Sequence, residues 1–399
     1  MKIVIICHFS NIEIKKLLGI NNKGYDEFAP WIPNLLKGFE NRTDTEIFVI
    51  APHYYLKKQI FFKLRNINYY FIPVGVPYFH SPYPYGLPFD VATNYYCFRN
   101  RVKKIVNIIQ PDVINLIGAE NAYYASSIFQ FKKKYPVVIT IQGFISEFKI
   151  KALSFRTKHR SLIEKKILKE FNHFIGEMDS KRYISLFNND FKFYKAYFPV
   201  NEDLVFEKNN PDKIYDCIYF GRLDKLKGTE DFIRIIAEIK KVKPEIKGII
   251  VGPGDKSIFE NIADNLGCRE NIHFQTFCKD QKELFDYVRK SKVFLTPTYF
   301  ERLSATIREA MFLKVPIIAY ATGGIPFVNE ENENIILVNK GDYKKMAYKT
   351  IELLENEKFR KELSQRAYNY AINEFSLNLN IERMLYAFDE TKKHFMVNE

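Results

Sequence analysis

The sequence has no apolar run of the roughly 20 residues needed to span a bilayer. Its uninterrupted stretches, such as Ile3 to Cys7 and Ile249 to Val251, are the length of single strands. The opening Met1-Lys2-Ile-Val-Ile-Ile-Cys7-His8 carries one positive charge and a short apolar run, but no small-residue cleavage site follows. It reads as a first buried strand. Cysteine is scarce: Cys7, Cys97, Cys217, Cys268 and Cys278 are dispersed, odd in number and form no C-x-x-C pair. Such usage suits a compartment where thiols stay reduced, so a cytoplasmic location is expected. There is no Asp-x-Asp and no His/Asp/Glu cluster with metal-ligand spacing, so no metal site and no cofactor are expected. Internal repeats and low-complexity tracts are absent as well.

What the chain has is core-forming material and unevenly placed charge. Of its 399 residues 47% are hydrophobic and 16% aromatic, enough for two domains with cores of their own. The formal net charge is +13, and residues 1–200 hold 29 basic against 15 acidic side chains, the remainder 31 against 32. All of the excess is therefore N-terminal. A basic half beside a neutral one implies an anionic surface on one side only, membrane phospholipid or nucleic acid, or else a solubilising surface. No aromatic-basic recognition motif supports nucleic acid. An anionic membrane surface is the expected partner.

Apolar, β-branched runs alternate with helix-period stretches along the chain. The runs are Ile3–Ile6, Ile47–Ile50, Val113–Leu116 and Val137–Thr140, then Cys217–Phe220, Lys247–Val251, Val293–Thr296 and Pro316–Ala319. Each is followed by a polar or Gly-containing turn and a helix, the pattern of parallel sheets covered on both faces. The fold class is α/β. A polar passage with Pro199 and Pro211 precedes a fresh strand at Tyr215, which places the domain boundary there: 1–200, then 201–375, with 376–399 a closing helix. Residues 51–100, rich in Tyr, Phe, Pro and Lys, show no clear period. They read as an irregular loop packed on the first domain or as an aromatic-basic patch resting on a membrane interface.

The chemistry gathers in the second half. Gly221-Arg222-Leu-Asp-Lys-Leu-Lys227-Gly228 follows a strand and opens a helix near Thr229. Glycine at the strand end admits a ligand close to the backbone, while Arg as a planar fork and Lys as a point charge suit a diphosphate. Val251-Gly252-Pro253-Gly254 repeats the strand-to-glycine turn, and Thr296-Pro297-Thr298 closes a third strand just before Glu301. Ligands of open parallel sheets bind beyond the carboxyl ends of the strands, so these three turns line one crevice. Leu303, Ser304, Ala305 and Thr306 begin a helix whose amides suit a phosphate, although Ser304 can equally be its cap. Glu309 lies on that helix, eight positions after Glu301.

These residues, in this order, resemble the retaining glycosyltransferases of family 4, with their GT-B fold of two Rossmann-like domains facing across a cleft. The resemblance runs from Asp216 to about Val338. It takes in the Gly-Arg and Lys-Gly pair, Val-Gly-Pro-Gly, the segment from Tyr287 to Pro297, the two glutamates with Glu309-Ala-Met311, Val315-Pro316-Ile-Ile-Ala319 and Gly323-Gly324-Ile-Pro326. It is looser in the first half, through Phe28-Ala-Pro-Trp31 and Thr140-Ile-Gln142-Gly143. The resemblance implies that Arg222 and Lys227 hold the diphosphate, that Glu309 accepts from ribose hydroxyls and that Glu301 binds the donor sugar, with Gly221, Gly252, Leu303, Ser304 and Ala305 around the donor. It also implies front-face attack with retention, in which the departing phosphate oxygen takes the acceptor proton, so positioning and electrostatics suffice. The resemblance further implies a UDP- or GDP-sugar donor with no metal requirement, a first domain that binds the acceptor, and a 376–399 helix that crosses back to that domain.

Arg302 stands where the family pattern has glycine, and Gln142-Gly143, on the acceptor or sugar side, where many members have His-Gly; Gln142 can still hydrogen-bond a sugar hydroxyl but carries no positive charge. The first-helix glycine loop is reduced to Gly24 and Gly19. His8, after the first strand, either faces the acceptor side or is structural. Richness in Lys, Asn, Ile, Phe and Tyr suits an AT-rich bacterial genome, hence transfer to a glycan or lipid-linked acceptor of capsule or lipopolysaccharide. The alternative is a non-catalytic GT-B protein that binds a glycan or protein partner.

Overall fold

The computed structural model describes residues 1–20, 29–53, 56–73, 91–147, 154–207, 211–276 and 278–397. The chain divides into two units, Met1–Pro199 with Leu377–Glu399, and Val200–Ser376. Each is an α/β unit built on a parallel or almost wholly parallel sheet.

In the first unit the strands are β1 (Lys2–Ile6), β2 (Glu46–His53), β3 (Ile60–Leu64), β4 (Ile67–Pro73), β5 (Val113–Ile117), β6 (Val137–Thr140), β7 (His173–Gly176) and β8 (Lys192–Lys195). Their order is β3-β4-β2-β1-β5-β6-β7-β8, and only β3 runs antiparallel. The continuous apolar run of β1 is explained by burial on both faces. Val4 and Ile6 join a core with the helices Tyr96–Ile109 and Phe155–Glu170, whereas Ile3, Ile5 and Cys7 join another with the helices Trp31–Glu40 and Leu377–Val397.

The helix before the last ends at the buried Phe375, and Ser376 leaves the helical conformation. The final helix Leu377–Val397 then packs on the first unit. There Asn380 Oδ1 accepts from Tyr197 N at 2.8 Å, and Lys392 meets Asp112 at 2.7 Å. Gly38 lets it approach the Trp31–Glu40 helix, since a Cβ there would strike Ile381.

Residues 60–73 depart from the expected irregular segment. They form a hairpin, β3 and β4, joined by Arg65-Asn66 with both φ values positive (46° and 65°), a tight two-residue turn without the usual glycine. Packing of Phe62, Tyr69 and Phe71 in a stack holds it where the turn residues do not announce it. Tyr54, Tyr55 and residues 74–90 of that segment lie outside the described residues, as do Gly24 and Phe28.

In the second unit the strands are β9 (Tyr215–Phe220), β10 (Gly248–Val251), β11 (Ile272–Gln275), β12 (Ser291–Thr296), β13 (Ile317–Tyr320) and β14 (Ile336–Val338). All are parallel, in the order β11-β10-β9-β12-β13-β14. Because β10, β9 and β12 are neighbours, the turns that leave their carboxyl ends are neighbours too. Among the described residues no helix is long and apolar enough to cross a membrane.

Candidate active site

The three turns of the second unit are knit through their backbones. Gly221 N donates to Val251 O at 2.9 Å, Leu223 N to Pro253 O at 2.9 Å, and Tyr299 N to Leu226 O at 2.8 Å. Gly252 lies against Gly221, whose carbonyl would collide with a Cβ at 252. Asp224 caps the short turn Lys225–Lys227 by accepting from Leu226 N at 2.7 Å. Gly228, at φ 81°, then starts the helix Thr229–Lys240.

The loop carrying Glu301 is clamped from both sides. On one side a Cβ at Gly228 would collide with the carbonyl of Pro297; on the other, a Cβ at Gly323 (φ 53°) would collide with the carbonyl of Glu301 itself. Thr322 Oγ1 donates to Thr298 O at 3.0 Å. Asp231, buried on the helix after Gly228, accepts at one oxygen, Oδ2, from both Tyr299 and Tyr320, each at 2.7 Å. Burial raises the Tyr299 phenol to about 12, so it donates as a neutral hydroxyl. The result is a short ion pair: Lys227 Nζ lies 2.5 Å from Glu301 Oε2, with both side chains partly exposed. Arg222 projects into solvent, 3.9 Å from Asp224, while its carbonyl is held by the Tyr219 hydroxyl at 2.8 Å.

Glu309 sits on the helix Ala305–Phe312, and Glu301 precedes that helix. Ser304 is its cap, accepting from Thr306 N at 3.3 Å, with Leu303 buried beside it and Ala305 exposed. Glu309 is buried, and desolvation lifts its carboxyl to about 7 against the opposing effects of Arg308 and of Gln281, whose Nε2 donates to Oε1 at 3.0 Å.

The acceptor-side candidates belong to the first unit. His8 is buried after β1, and desolvation, with His53 beside it, lowers its imidazole to about 3, so it is neutral at ordinary pH. Gln142 and Gly143 follow β6. The Gln142 Nε2 is buried and has no hydrogen-bond partner among the described residues. A Cβ at Gly143 would meet nothing within 4 Å, so no steric need for glycine exists there. The rest of this loop is fixed from the helix Phe155–Glu170. The fully buried Glu164 accepts from Ile145 N at 2.8 Å, from Ser146 N at 2.9 Å and from the Ser146 hydroxyl, and Arg160 donates to Glu120 O and Asn121 Oδ1.

Sequence reasoning passed over Asp231, Gln281 and Glu164. Asp231 and Glu164 carried one signal, an acid within the apolar period of a helix. Gln281 carried none, because only the fold brings it to Glu309.

Residues 200–370 match the family described as Glycosyl transferases group 1. D-inositol 3-phosphate glycosyltransferase of Corynebacterium efficiens is 28% identical over 162 residues, 39% of this chain and 38% of that protein. The putative glycosyltransferase EpsD of Bacillus subtilis is 23% identical over 193 residues, 48% of this chain and 50% of that protein. The chain thus spans half or less of the length of these curated relatives. Among solved structures, sucrose-phosphate synthase from Thermosynechococcus elongatus superposes with a TM-score of 0.75 at 15% identity, covering 98% of both chains. Anabaena HepE in complex with UDP gives 0.70 at 14% identity, over 98% of this chain and all of that one.

Proposed function

Taking residues 200–370 as a domain of the glycosyl transferases group 1 family, we propose that the protein is a retaining, metal-independent glycosyltransferase. It moves a sugar from a UDP- or GDP-sugar to a glycan or lipid-linked acceptor in bacterial surface polysaccharide assembly, on the cytoplasmic side. The observation that carries the reading is the set of three knitted turns presenting Lys227 and Glu301 beside the helix of Glu309. In this reading Glu309 accepts from ribose hydroxyls. Lys227 and Arg222 neutralise the diphosphate as it leaves, and Glu301 holds both Lys227 and hydroxyls of the sugar. That HepE was crystallised with UDP supports a nucleotide donor.

The test is turnover across a panel of nucleotide sugars, in EDTA, with Glu309→Ala and Lys227→Ala. We expect each variant to lose about 100-fold or more in kcat/KM. Wild-type-like turnover in both would refute the site, and binding of neither UDP nor GDP would favour a non-catalytic glycan or partner binder.

The membrane part of the reading rests on charge and exposed apolar residues of the first unit. Ile108, Phe155 and Leu162 are exposed on the two helices that share one core, among the exposed Lys103, Lys104, Lys165 and Lys166. Binding to anionic liposomes should weaken with salt; equal binding to neutral liposomes would count against it.

A further inference from the structure

We propose that Gln281 is a positioning residue for Glu309: its side-chain amide fixes one carboxylate oxygen, so that the carboxyl meets the donor ribose charged and in a single orientation. The proposal rests on the reading of Glu309 as the ribose ligand.

Three observations carry it. First, Gln281 Nε2 donates to Glu309 Oε1 at 3.0 Å, the one hydrogen bond that reaches this carboxyl among the described residues. Second, the amide has one sense only. Its oxygen accepts from Asn201 Nδ2 at 3.3 Å, and turning it over would set oxygen against oxygen at the charged Glu309 carboxylate, which has no proton to offer. Third, Gln281 is the opening residue of the helix Gln281–Arg289, whose cap Asp280 accepts from Glu283 N at 2.9 Å, so the amide starts from a fixed backbone. The ionisable group acting on Glu309 is Arg308 of its own helix, and Gln281 stabilises the carboxylate from the facing helix without adding charge. A buried carboxyl that must accept from a ligand near neutral pH needs such a donor, because burial alone drives it toward the protonated form.

The experiment measures UDP and GDP affinity of the full chain by calorimetry from about pH 5.5 to about pH 9, bracketing the Glu309 transition. Wild type, Gln281→Leu and Glu309→Gln are compared. The ¹³C carboxyl shift of Glu309 in the free protein gives its titration without ligand. The expected result is that Gln281→Leu moves the Glu309 titration upward by about half a pH unit or more. It should also weaken nucleotide binding about tenfold at pH 7, with the loss shrinking at the alkaline end. A titration and an affinity profile unchanged in Gln281→Leu, while Glu309→Gln binds weakly, would overturn the role of Gln281 and leave the ribose reading standing. Wild-type affinity in Glu309→Gln at every pH would overturn the ribose reading, and the proposal with it.

Discussion

Each unit of the molecule buries a glutamate against the run of the polypeptide, and the two are treated differently. In the first unit Glu164 accepts three hydrogen bonds, two from consecutive backbone amides and one from the Ser146 hydroxyl. In the second, Glu309 accepts one, from Gln281. Burial raises both carboxyls above the ordinary range, but at Glu164 the three donors and Arg160 work against it, and at Glu309 only Gln281 and Arg308 do. A carboxylate whose lone pairs are filled by its own protein holds a loop. One left with open lone pairs in a low-dielectric site has affinity in reserve for a ligand's hydroxyls. Asp231 lies between them, with two phenol donors on one oxygen.

The largest effect that could break this contrast is at Glu164. Glu164→Leu strips the acceptor from two amides and a hydroxyl, and we expect a stability loss of about 3–5 kcal/mol, with nucleotide affinity of the second unit within about twofold of wild type. Chemical denaturation and UDP or GDP calorimetry measure the two sides. A nucleotide affinity that collapsed in a folded Glu164→Leu protein would show that the loop after β6 is not independent of the donor site.

Glu309→Gln should do the reverse. Its folded-state carboxyl is raised to about 7 from an ordinary 4.5. The stability linked to this group is therefore fully present below about pH 4.5 and is lost as pH rises through about 7, where the buried charge must form. Removing the charge relieves that cost. The variant is expected to gain on the order of 3 kcal/mol relative to wild type at pH 8 and little at pH 5, while losing nucleotide binding. Thermal unfolding at the two pH values decides it: a variant less stable than wild type at pH 8 would contradict the assignment of Glu309 as a carboxylate held ready at a cost.

The same contrast explains what could be read from the sequence. Glycines where a Cβ would strike backbone, Gly228, Gly252 and Gly323, were visible because glycines at the turns beside Arg, Lys and Glu form an ordered pattern, and the alternation of apolar runs announced two parallel sheets. The hairpin 60–73 was not visible, since Arg65-Asn66 turns without glycine, its strands are held by a stack of their own rings, and β4 is placed by pairing to β2, a strand from an earlier part of the chain. The short strands β7, β8 and β11, of four residues each, are set by pairing to neighbours rather than by their own period. Nor could the donors of Glu164, Asp231 and Glu309 be read. Ser146 is 18 residues from Glu164, Tyr320 is 89 from Asp231 and Gln281 is 28 from Glu309, separations that no local pattern encodes.

The smallest expected effect tests the intermediate case. Tyr299 and Tyr320 both donate to Asp231 Oδ2, so either phenol alone still satisfies that oxygen. Tyr299→Phe and Tyr320→Phe should each cost about 1 kcal/mol, the ordinary net value of a hydrogen bond. The double variant leaves a buried carboxylate without its two donors, and its cost should exceed the sum of the singles by at least about 1 kcal/mol. Because Tyr299 lies two residues before Glu301, whose loop the Gly323 turn also holds, the double variant should further lower turnover more than nucleotide affinity. Strict additivity in stability, within about 0.5 kcal/mol, would mean that Asp231 does not depend on the pair as the geometry requires.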